Sequence, residues 1–480
     1  MPPSPGAARH GAPRIDGVPR RTRAAALAVL LLLAGCDSGG DDGVGADGVG
    51  DPYFPRAGNG GYDVTHYGLT LGYTPATRQL TGTAVISARA TRQLTSYNLD
   101  LTGLDVEEVT VDGEPARTSR AGQELTVRPR GGVGEGDVFT TTVRYSGVPR
   151  TLTDPDGSKE GWLPTADGAI ALGEPVGSMA WFPGNHHPSD KATYDLTVTV
   201  PEGLTAVSNG ELRSEKAVAG GRTFVWHSGE PMASYLATLA IGRFEVRRTG
   251  GELPTYVAVD PTQAAASRAV LGRLDEVLEW GVENFGAYPF RSAGAIVERP
   301  GDAGYALETQ TRPFFAGPPE LGTFVHELAH QWFGNSVTPR SWRDMWLNEG
   351  FATYAEWLWS EDHDGESAQE IFDAVYAGDY YEDAEDNDAV WEFPPGDPPG
   401  ADRISDPPVY FRGAMAVHKI RQLLGDDLFY EFLQGWTGEH RHLVADTGQL
   451  KGHLERLAPE EDWDAVWDEW VFGEGRPARP

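Results

Sequence analysis

Hydrophobic and polar residues alternate along the first half of the chain with the two-residue period of half-buried β-strands. Runs rich in β-branched and aromatic residues recur between about Tyr62 and Val246, separated by turn pairs such as Asp112-Gly113 and Asn209-Gly210. The clearest runs are Tyr67–Tyr73, Thr81–Ala88, Val106–Val111, Val138–Tyr145, Tyr194–Val200 and Tyr235–Ile241. The pattern predicts a β-rich saddle or sandwich domain over residues 61–248.

After Gly250 the apolar positions change to a helical period. Between Gln263 and Phe285 they recur every three or four residues, which predicts a helix. Further predicted helices are Pro319–Gly334, Arg343–Ser360 and Arg412–Leu424, and short strands are predicted at Ala293–Glu298 and Tyr305–Gln310. Residues 249–480 are therefore predicted to form a mostly α-helical domain with a small sheet, and the fold class is α+β.

The start of the chain has the order of a secretory signal: arginines up to Arg23, an apolar run from Ala24 to Ala34, then Gly35 and Cys36. Leu33-Ala34-Gly35-Cys36 resembles the lipobox of bacterial lipoproteins. We therefore expect a signal peptide over 1–35, an acylated Cys36, and a flexible Gly/Asp-rich tether over 36–60. The alternatives are a buried structural Cys36 and, for export, the Sec or the twin-arginine route.

Charge and cysteine content narrow the class of protein. The 480 residues carry a formal net charge of -32, which argues against nucleic-acid binding. A hydrophobic content of 40% is ordinary for a globular protein. With a single cysteine, an intramolecular disulfide framework is excluded.

The candidate chemistry centres on the segment His326-Glu327-Leu328-Ala329-His330. On a helix, His326 and His330 lie one turn apart on the same face, and Glu349 in the next helix supplies a third ligand. Two histidines and a glutamate form a catalytic Zn²⁺ site with one position open for water. Glu327 is the candidate general base for that metal-activated water. We predict one Zn²⁺ per chain.

Two other histidines, His186 and His187, follow Trp181-Phe182-Pro183-Gly184-Asn185 in a turn-rich loop. Neighbouring residues in such a loop are poorly placed to share one ion, so a structural or surface role is favoured.

The motif His-Glu-x-x-His followed by Trp346-Leu347-Asn348-Glu349-Gly350 resembles the gluzincin aminopeptidases, the family of aminopeptidase N and the leukotriene hydrolases. The resemblance implies a thermolysin-like catalytic domain over 249–480. Val409-Tyr410-Phe411-Arg412-Gly413-Ala414 is similar to the family's Tyr-x-Lys/Arg-Gly-Ala segment, which implies that Tyr410 stabilises the oxyanion.

Two further segments resemble the family's amine-binding regions. Tyr305-Ala306-Leu307-Glu308-Thr309 aligns with its Gly-Ala-Met-Glu-Asn motif, which implies that Glu308, expected on an edge strand, holds the substrate's α-ammonium. Glu174 matches a second amine-binding carboxylate. Leu172 stands where the family often has Gln, which leaves side-chain selectivity open. Many relatives add a helical capping domain, and without it we expect an open two-domain enzyme.

The resulting prediction is a zinc-dependent aminopeptidase that hydrolyses N-terminal residues from peptides. Its expected partners are peptides with a free N-terminus and, through a lipid on Cys36, the outer face of the cell membrane. Two alternatives stay open. One is a thermolysin-like endopeptidase, which would need no amine anchor, and the other is a non-catalytic peptide-binding lipoprotein.

Overall fold

A computed structural model describes residues 43–478 of the chain. The predicted signal peptide and Cys36 lie outside this range. In the described part of the chain, no helix combines the length and the apolar character needed to cross a membrane.

The first domain is built from sixteen strands in three sheets. An eight-stranded sheet has the order β14-β15-β12-β1-β2-β8-β4-β5, a five-stranded sheet the order β13-β16-β11-β10-β9, and a three-stranded sheet the order β3-β7-β6. The strands are β1 Tyr62–Thr74, β2 Gln79–Ala90, β3 Tyr97–Asp100, β4 Asp105–Val111, β5 Glu114–Pro115, β6 Arg117–Ala121, β7 Glu124–Arg128, β8 Val138–Gly147, β9 Thr151–Thr153, β10 Lys159–Pro164, β11 Ala169–Leu172, β12 Lys191–Pro201, β13 Thr205–Ser208, β14 Glu211–Val218, β15 Gly221–Ala233 and β16 Leu239–Gly242.

Strand β1 shows why these residues form a sheet with one covered face. Leu69, Leu71 and Tyr73 are buried, whereas Thr70 and Thr74 between and after them are exposed. Because successive side chains of a strand point to opposite faces, this alternation buries one face and leaves the other to solvent. The predicted β-rich first domain is confirmed.

The second domain combines a four-stranded sheet, in the order β17-β18-β19-β20, with nine helices in the described residues. Its strands are β17 Glu245–Thr249, β18 Thr255–Val259, β19 Ala293–Val297 and β20 Phe314–Phe315, with a separate parallel pair β21 Thr338–Pro339 and β22 Val444–Ala445. The helices are α1 Ala264–Leu271, α2 Leu274–Phe285, α3 Leu321–Ala329, α4 Trp346–Asp362, α5 Ala368–Ala377, α6 Ala384–Ala389, α7 Gly413–Glu439, α8 Thr447–Leu457 and α9 Trp463–Val466. Single π-helical turns cover Pro408–Arg412 and Trp467–Val471.

Three differences from the predicted elements concern the domain boundary and the segments that precede the zinc helix. Strand β17 pairs with β18 of the second domain, so the first domain ends before residue 245 rather than at 248. The helix predicted from Gln263 to Phe285 is divided into α1 and α2. Residues 305–310 form a loop in which Leu307 makes only an isolated bridge to Phe314, so Glu308 does not lie on a strand.

The expectation of a flexible tether up to residue 60 is wrong for residues 43–60, which pack on the folded body. Gly45 donates its N–H to the carbonyl oxygen of Ser96 at 2.8 Å. Asp51 is only 4% exposed. Its carboxylate accepts hydrogen bonds from the amides of Tyr53, Phe54 and Trp342, the hydroxyl of Ser341 and Nε2 of His187. The segment thus joins the first domain, through His187, to the second, through Ser341 and Trp342.

These hydrogen bonds govern the charge of Asp51. Burial alone would raise the pKa of its carboxyl, but the hydrogen bonds from His187 and from the amides of Phe54, Trp342 and Tyr53 hold that pKa well below its usual range. A lowered folded-state pKa stabilises the fold above the unfolded-state pKa of about 3.9, and this stabilisation is lost as the pH falls through the folded-state value.

We predict that Asp51→Ala lowers the free energy of unfolding by roughly 2–4 kcal/mol at neutral pH, because it leaves buried donors without an acceptor. The difference from the unsubstituted protein should shrink below about pH 4. Urea unfolding at several pH values measures both effects. Asp47→Ala, an exposed aspartate of the same segment, is the matched control. Equal stabilities of the two variants would contradict the role assigned to Asp51.

Candidate zinc and amine-binding site

Helix α3 carries His326 of the predicted metal site, and His330 is the residue that caps its C-terminal end. Their rings lie with centroids 4.7 Å apart, one helical turn from each other. The Nε2 atoms of His326 and His330 are 3.2 and 3.5 Å from Oε2 of Glu349, in the first turn of α4. All three side chains are buried. The structure therefore brings together the three predicted ligands.

The donor set fits Zn²⁺. Nδ1 of His326 lies 2.8 Å from Oε1 of Glu356, and Nδ1 of His330 lies 3.0 Å from the carbonyl oxygen of Phe333. These outer partners fix both rings with Nε2 towards Glu349, the arrangement in which a histidine pair ligates a metal. Among residues 43–478 the group consists of two imidazoles and one carboxylate without a fourth ligand, which matches a catalytic zinc site.

The electrostatics of the group also call for a cation. Burial would favour a neutral imidazole at His330, but the carboxylates of Glu349 and Glu308 raise its pKa to about 9. Burial would likewise raise the pKa of Glu349, yet the two histidines hold it well below its usual range. The carboxylates around the two histidines thus favour positive charge at this point, which a divalent cation would supply.

Glu327 is buried beside the metal group without belonging to it. It is 6% exposed, and its Oε2 has no hydrogen-bond partner in residues 43–478. Burial raises the pKa of its carboxyl to about 8, with the two histidines opposing and the carboxylates of Glu308 and Glu349 adding to the rise. A carboxylate with a spare oxygen next to the ligands is what a water-activating base requires.

Glu174 and Glu308 reach the metal group from different domains. Glu174 follows β11 of the first domain, and Glu308 lies in the loop between β19 and β20 of the second. Carboxylate oxygens of Glu174, Glu308 and Glu349 lie within 4.8 Å of one another. One buried oxygen of Glu174 and one of Glu308 have no hydrogen-bond partner among the described residues. The pair forms an unsatisfied acceptor site beside the metal ligands.

Tyr410 lies beside the metal group, in the π-helical turn before α7. Its ring stacks on that of His326, with centroids 6.1 Å apart and planes 17° from parallel. Burial, together with the surrounding glutamates, raises the pKa of its hydroxyl well above the usual value. Because this pKa is raised, the hydroxyl stays protonated and can act as a hydrogen-bond donor. The π-helical turn itself is a feature that is frequent at functional sites.

Two contacts outside the centre hold this turn in place. A Cβ on Gly350 would lie 2.8 Å from the carbonyl carbon of Gly413, so α4 and α7 touch through their backbones next to Glu349 and the Tyr410 turn. The buried guanidinium of Arg412 donates to the carbonyl oxygens of Glu469, Trp470 and Gly473. Both glycines belong to motifs recognised in the sequence, whereas the carbonyl partners of Arg412 could not be foreseen.

Other candidates lie away from the centre. His186 and His187 are buried and structural: Nε2 of His186 lies 3.0 Å from the carbonyl oxygen of Phe182, and His187 contacts Asp51. The second carboxylate on His326, Glu356, was missed. Its signal was its position two helical turns after Glu349, which places both on one face of α4.

A two-domain zinc peptidase is the class that this fold and site define. Residues 321–470 match the Peptidase family M1 domain, and residues 63–236 match the Peptidase M1 N-terminal domain. The chain belongs to peptidase family M1. Zinc is therefore its cofactor, with His326, His330 and Glu349 as the candidate zinc-binding group.

The chain is similar to solved structures over most of its length. An M1 zinc metallopeptidase from Deinococcus radiodurans is 29% identical, with a TM-score of 0.81 and coverage of 90% of this chain and 98% of that one. A mutant M1 zinc metallopeptidase from the same organism, bound to the substrate Tyr-Ser-Ala, aligns with a TM-score of 0.82 at 29% identity, over 90% of this chain and 99% of that one. The predicted two-domain fold is confirmed.

The chain also resembles longer aminopeptidases. Aminopeptidase M1 of Arabidopsis thaliana is 28% identical over 330 residues, 64% of this chain and 37% of that protein. Mouse aminopeptidase B is 28% identical over 333 residues, 62% of this chain and 50% of that protein. The chain thus matches half or less of the length of these two relatives.

Proposed function

We propose that this protein is a zinc-dependent aminopeptidase that releases N-terminal residues from peptides. The observation that carries the proposal is the pair of unsatisfied carboxylate oxygens on Glu174 and Glu308 beside the metal ligands. Buried carboxylates need a cationic partner, and an α-ammonium group supplies one with three donors. An amino terminus held there would place the first peptide bond next to the metal group.

The remaining residues divide the chemistry between them. When bound, zinc supplies Lewis-acid activation of water and of the scissile carbonyl. Glu327 takes the proton of the attacking water and passes it to the leaving amine. The Tyr410 hydroxyl donates a hydrogen bond to the carbonyl oxygen as negative charge develops there. Glu356 and the carbonyl of Phe333 keep the histidine rings oriented.

The relatives support the substrate class. The Arabidopsis and mouse relatives are called aminopeptidases, and one of the Deinococcus structures holds a tripeptide substrate. A thermolysin-like endopeptidase would need neither Glu174 nor Glu308 near the metal, so the two acidic side chains favour the exopeptidase.

We predict that the zinc-loaded protein cleaves leucyl-7-amido-4-methylcoumarin with a kcat/KM at least about a hundredfold higher than its N-acetylated form, because acetylation removes the charge that the two carboxylates bind. Initial rates of fluorophore release measure the ratio. Glu308→Gln should reduce the preference for the free amine. Faster cleavage of the blocked substrate would show the endopeptidase instead.

We further infer that the enzyme is anchored by a lipid on Cys36 at the outer face of the cell membrane. The support is the order of arginines, apolar run and Leu33-Ala34-Gly35-Cys36 at the start of the chain.

Expression of the full chain in a bacterium with lipoprotein processing tests this placement. The unsubstituted protein should sediment with membranes and carry acyl chains detectable by mass spectrometry, whereas Cys36→Ala should lose the lipid and move to the soluble fraction. The same distribution for both proteins would contradict the anchor.

A further inference from the structure

The loop that carries Glu308 is held at two ends. At its start, the Tyr305 hydroxyl donates a 3.0 Å hydrogen bond to the backbone carbonyl oxygen of Lys159, in β10 of the first domain. At Glu308 itself, the backbone carbonyl oxygen accepts hydrogen bonds from Nδ2 of Asn335 at 2.6 Å and from Nε2 of Gln331 at 3.3 Å. Both donors follow the zinc helix α3 in the sequence. The position of Glu308 is thus set between β10 and the zinc helix.

The segment that carries Glu174 is held by Glu160, which follows Lys159 in β10. Glu160 is 1% exposed, and its Oε2 accepts the backbone N–H of Val176 at 3.1 Å. A Cβ on Gly177 would lie 2.9 Å from this oxygen and 2.5 Å from the amide nitrogen of Gly161, so the segment lies directly against β10. Glu174 is two residues before Val176, whose amide Glu160 binds.

Strand β10 therefore contacts both carboxylate-bearing segments through consecutive residues, Lys159 by its backbone and Glu160 by its side chain. Tyr305 stands where the motif of the aminopeptidase family has glycine, which has no side chain to reach β10. We propose that Tyr305 and Glu160 are positioning residues that set the separation of Glu308 and Glu174, and so the geometry of the ammonium site. This rests on the proposed function.

Because the Glu160 carboxyl is neutral, its replacement by glutamine is a conservative test of its role. Burial, with the carboxyl of Asp154 beside it, raises the pKa of Glu160 well above its ordinary value. The neutral acid accepts the amide hydrogen bond of Val176 through one oxygen, and a glutamine offers the same oxygen in the same place. Glu160→Gln should therefore keep the contact that Glu160→Ala removes.

Two hydroxamates separate amine recognition from metal binding. Leucine hydroxamate carries the α-ammonium, and 4-methylpentanohydroxamate is the same molecule without it. Isothermal titration of the zinc-loaded protein with each compound gives the contribution of the amine as a ratio of dissociation constants. We expect a ratio of at least about a hundred for the unsubstituted protein.

Tyr305→Phe and Glu160→Ala should each weaken leucine hydroxamate about tenfold, because a displacement of about 1 Å is enough to spoil such a site, and should leave the amine-free compound within about twofold. Glu160→Gln should bind both compounds as the unsubstituted protein does. Tyr376→Phe is the matched control, since its hydroxyl donates an equivalent 2.7 Å hydrogen bond to the carbonyl oxygen of Pro477, outside the site.

The outcomes separate this proposal from the function on which it rests. A ratio near one in the unsubstituted protein would overturn the ammonium site and the proposal together. A high ratio that Tyr305→Phe and Glu160→Ala both retain would overturn the positioning role alone, as would an equal loss in Glu160→Gln and Glu160→Ala. If Glu160→Ala does not fold, Tyr305→Phe against Tyr376→Phe decides the question.

Discussion

Concentrated negative charge in a buried space is the constraint on which the rest of this structure depends. Glu174, Glu308, Glu327 and Glu349 surround two histidines. Burial favours the neutral form of each carboxyl, and for three of the four the pKa is raised. Such a group is stable as an ionised cluster only with cations in it. A divalent metal and the amino terminus of a substrate are the two cations that its geometry accommodates.

Because this cluster is assembled from two domains, their relative position decides whether it works. Lys191, at the start of β12, donates from Nζ to the carbonyl oxygens of Asn335 and Ser336, at 3.0 and 2.8 Å. Asn335 in turn holds the backbone of Glu308. Asp51 joins the domains at another point. One link between the domains thus lies in the loop after the zinc helix, where Asn335 both accepts from Lys191 and holds the backbone of Glu308.

The features that could be predicted from the sequence are those that depend on the spacing of nearby residues, above all the metal ligands. His326 and His330 are one turn apart on any helix, and Glu349 lies in a motif of its own, so the metal ligands could be named without coordinates. The packing of residues 43–60 could not be foreseen, because their composition is that of a tether. Asp51, the acceptor that fixes this segment, receives hydrogen bonds from Ser341 and Trp342, which lie about 290 residues further along the chain. Glu308 lies beside the metal ligands, but in a loop and not on the predicted strand, because its backbone is held by side chains and not by a neighbouring strand.

The central claim is that Glu349 holds the metal while its neighbour in space, Glu327, moves the proton without holding it. Metal content and turnover of Glu327→Gln, measured on the same preparation, test this most directly. The account predicts one zinc per chain, as in the unsubstituted protein, and a kcat lowered by at least about a thousandfold, because the amide cannot take a proton from water. Loss of the zinc, or turnover at the normal rate, would contradict it.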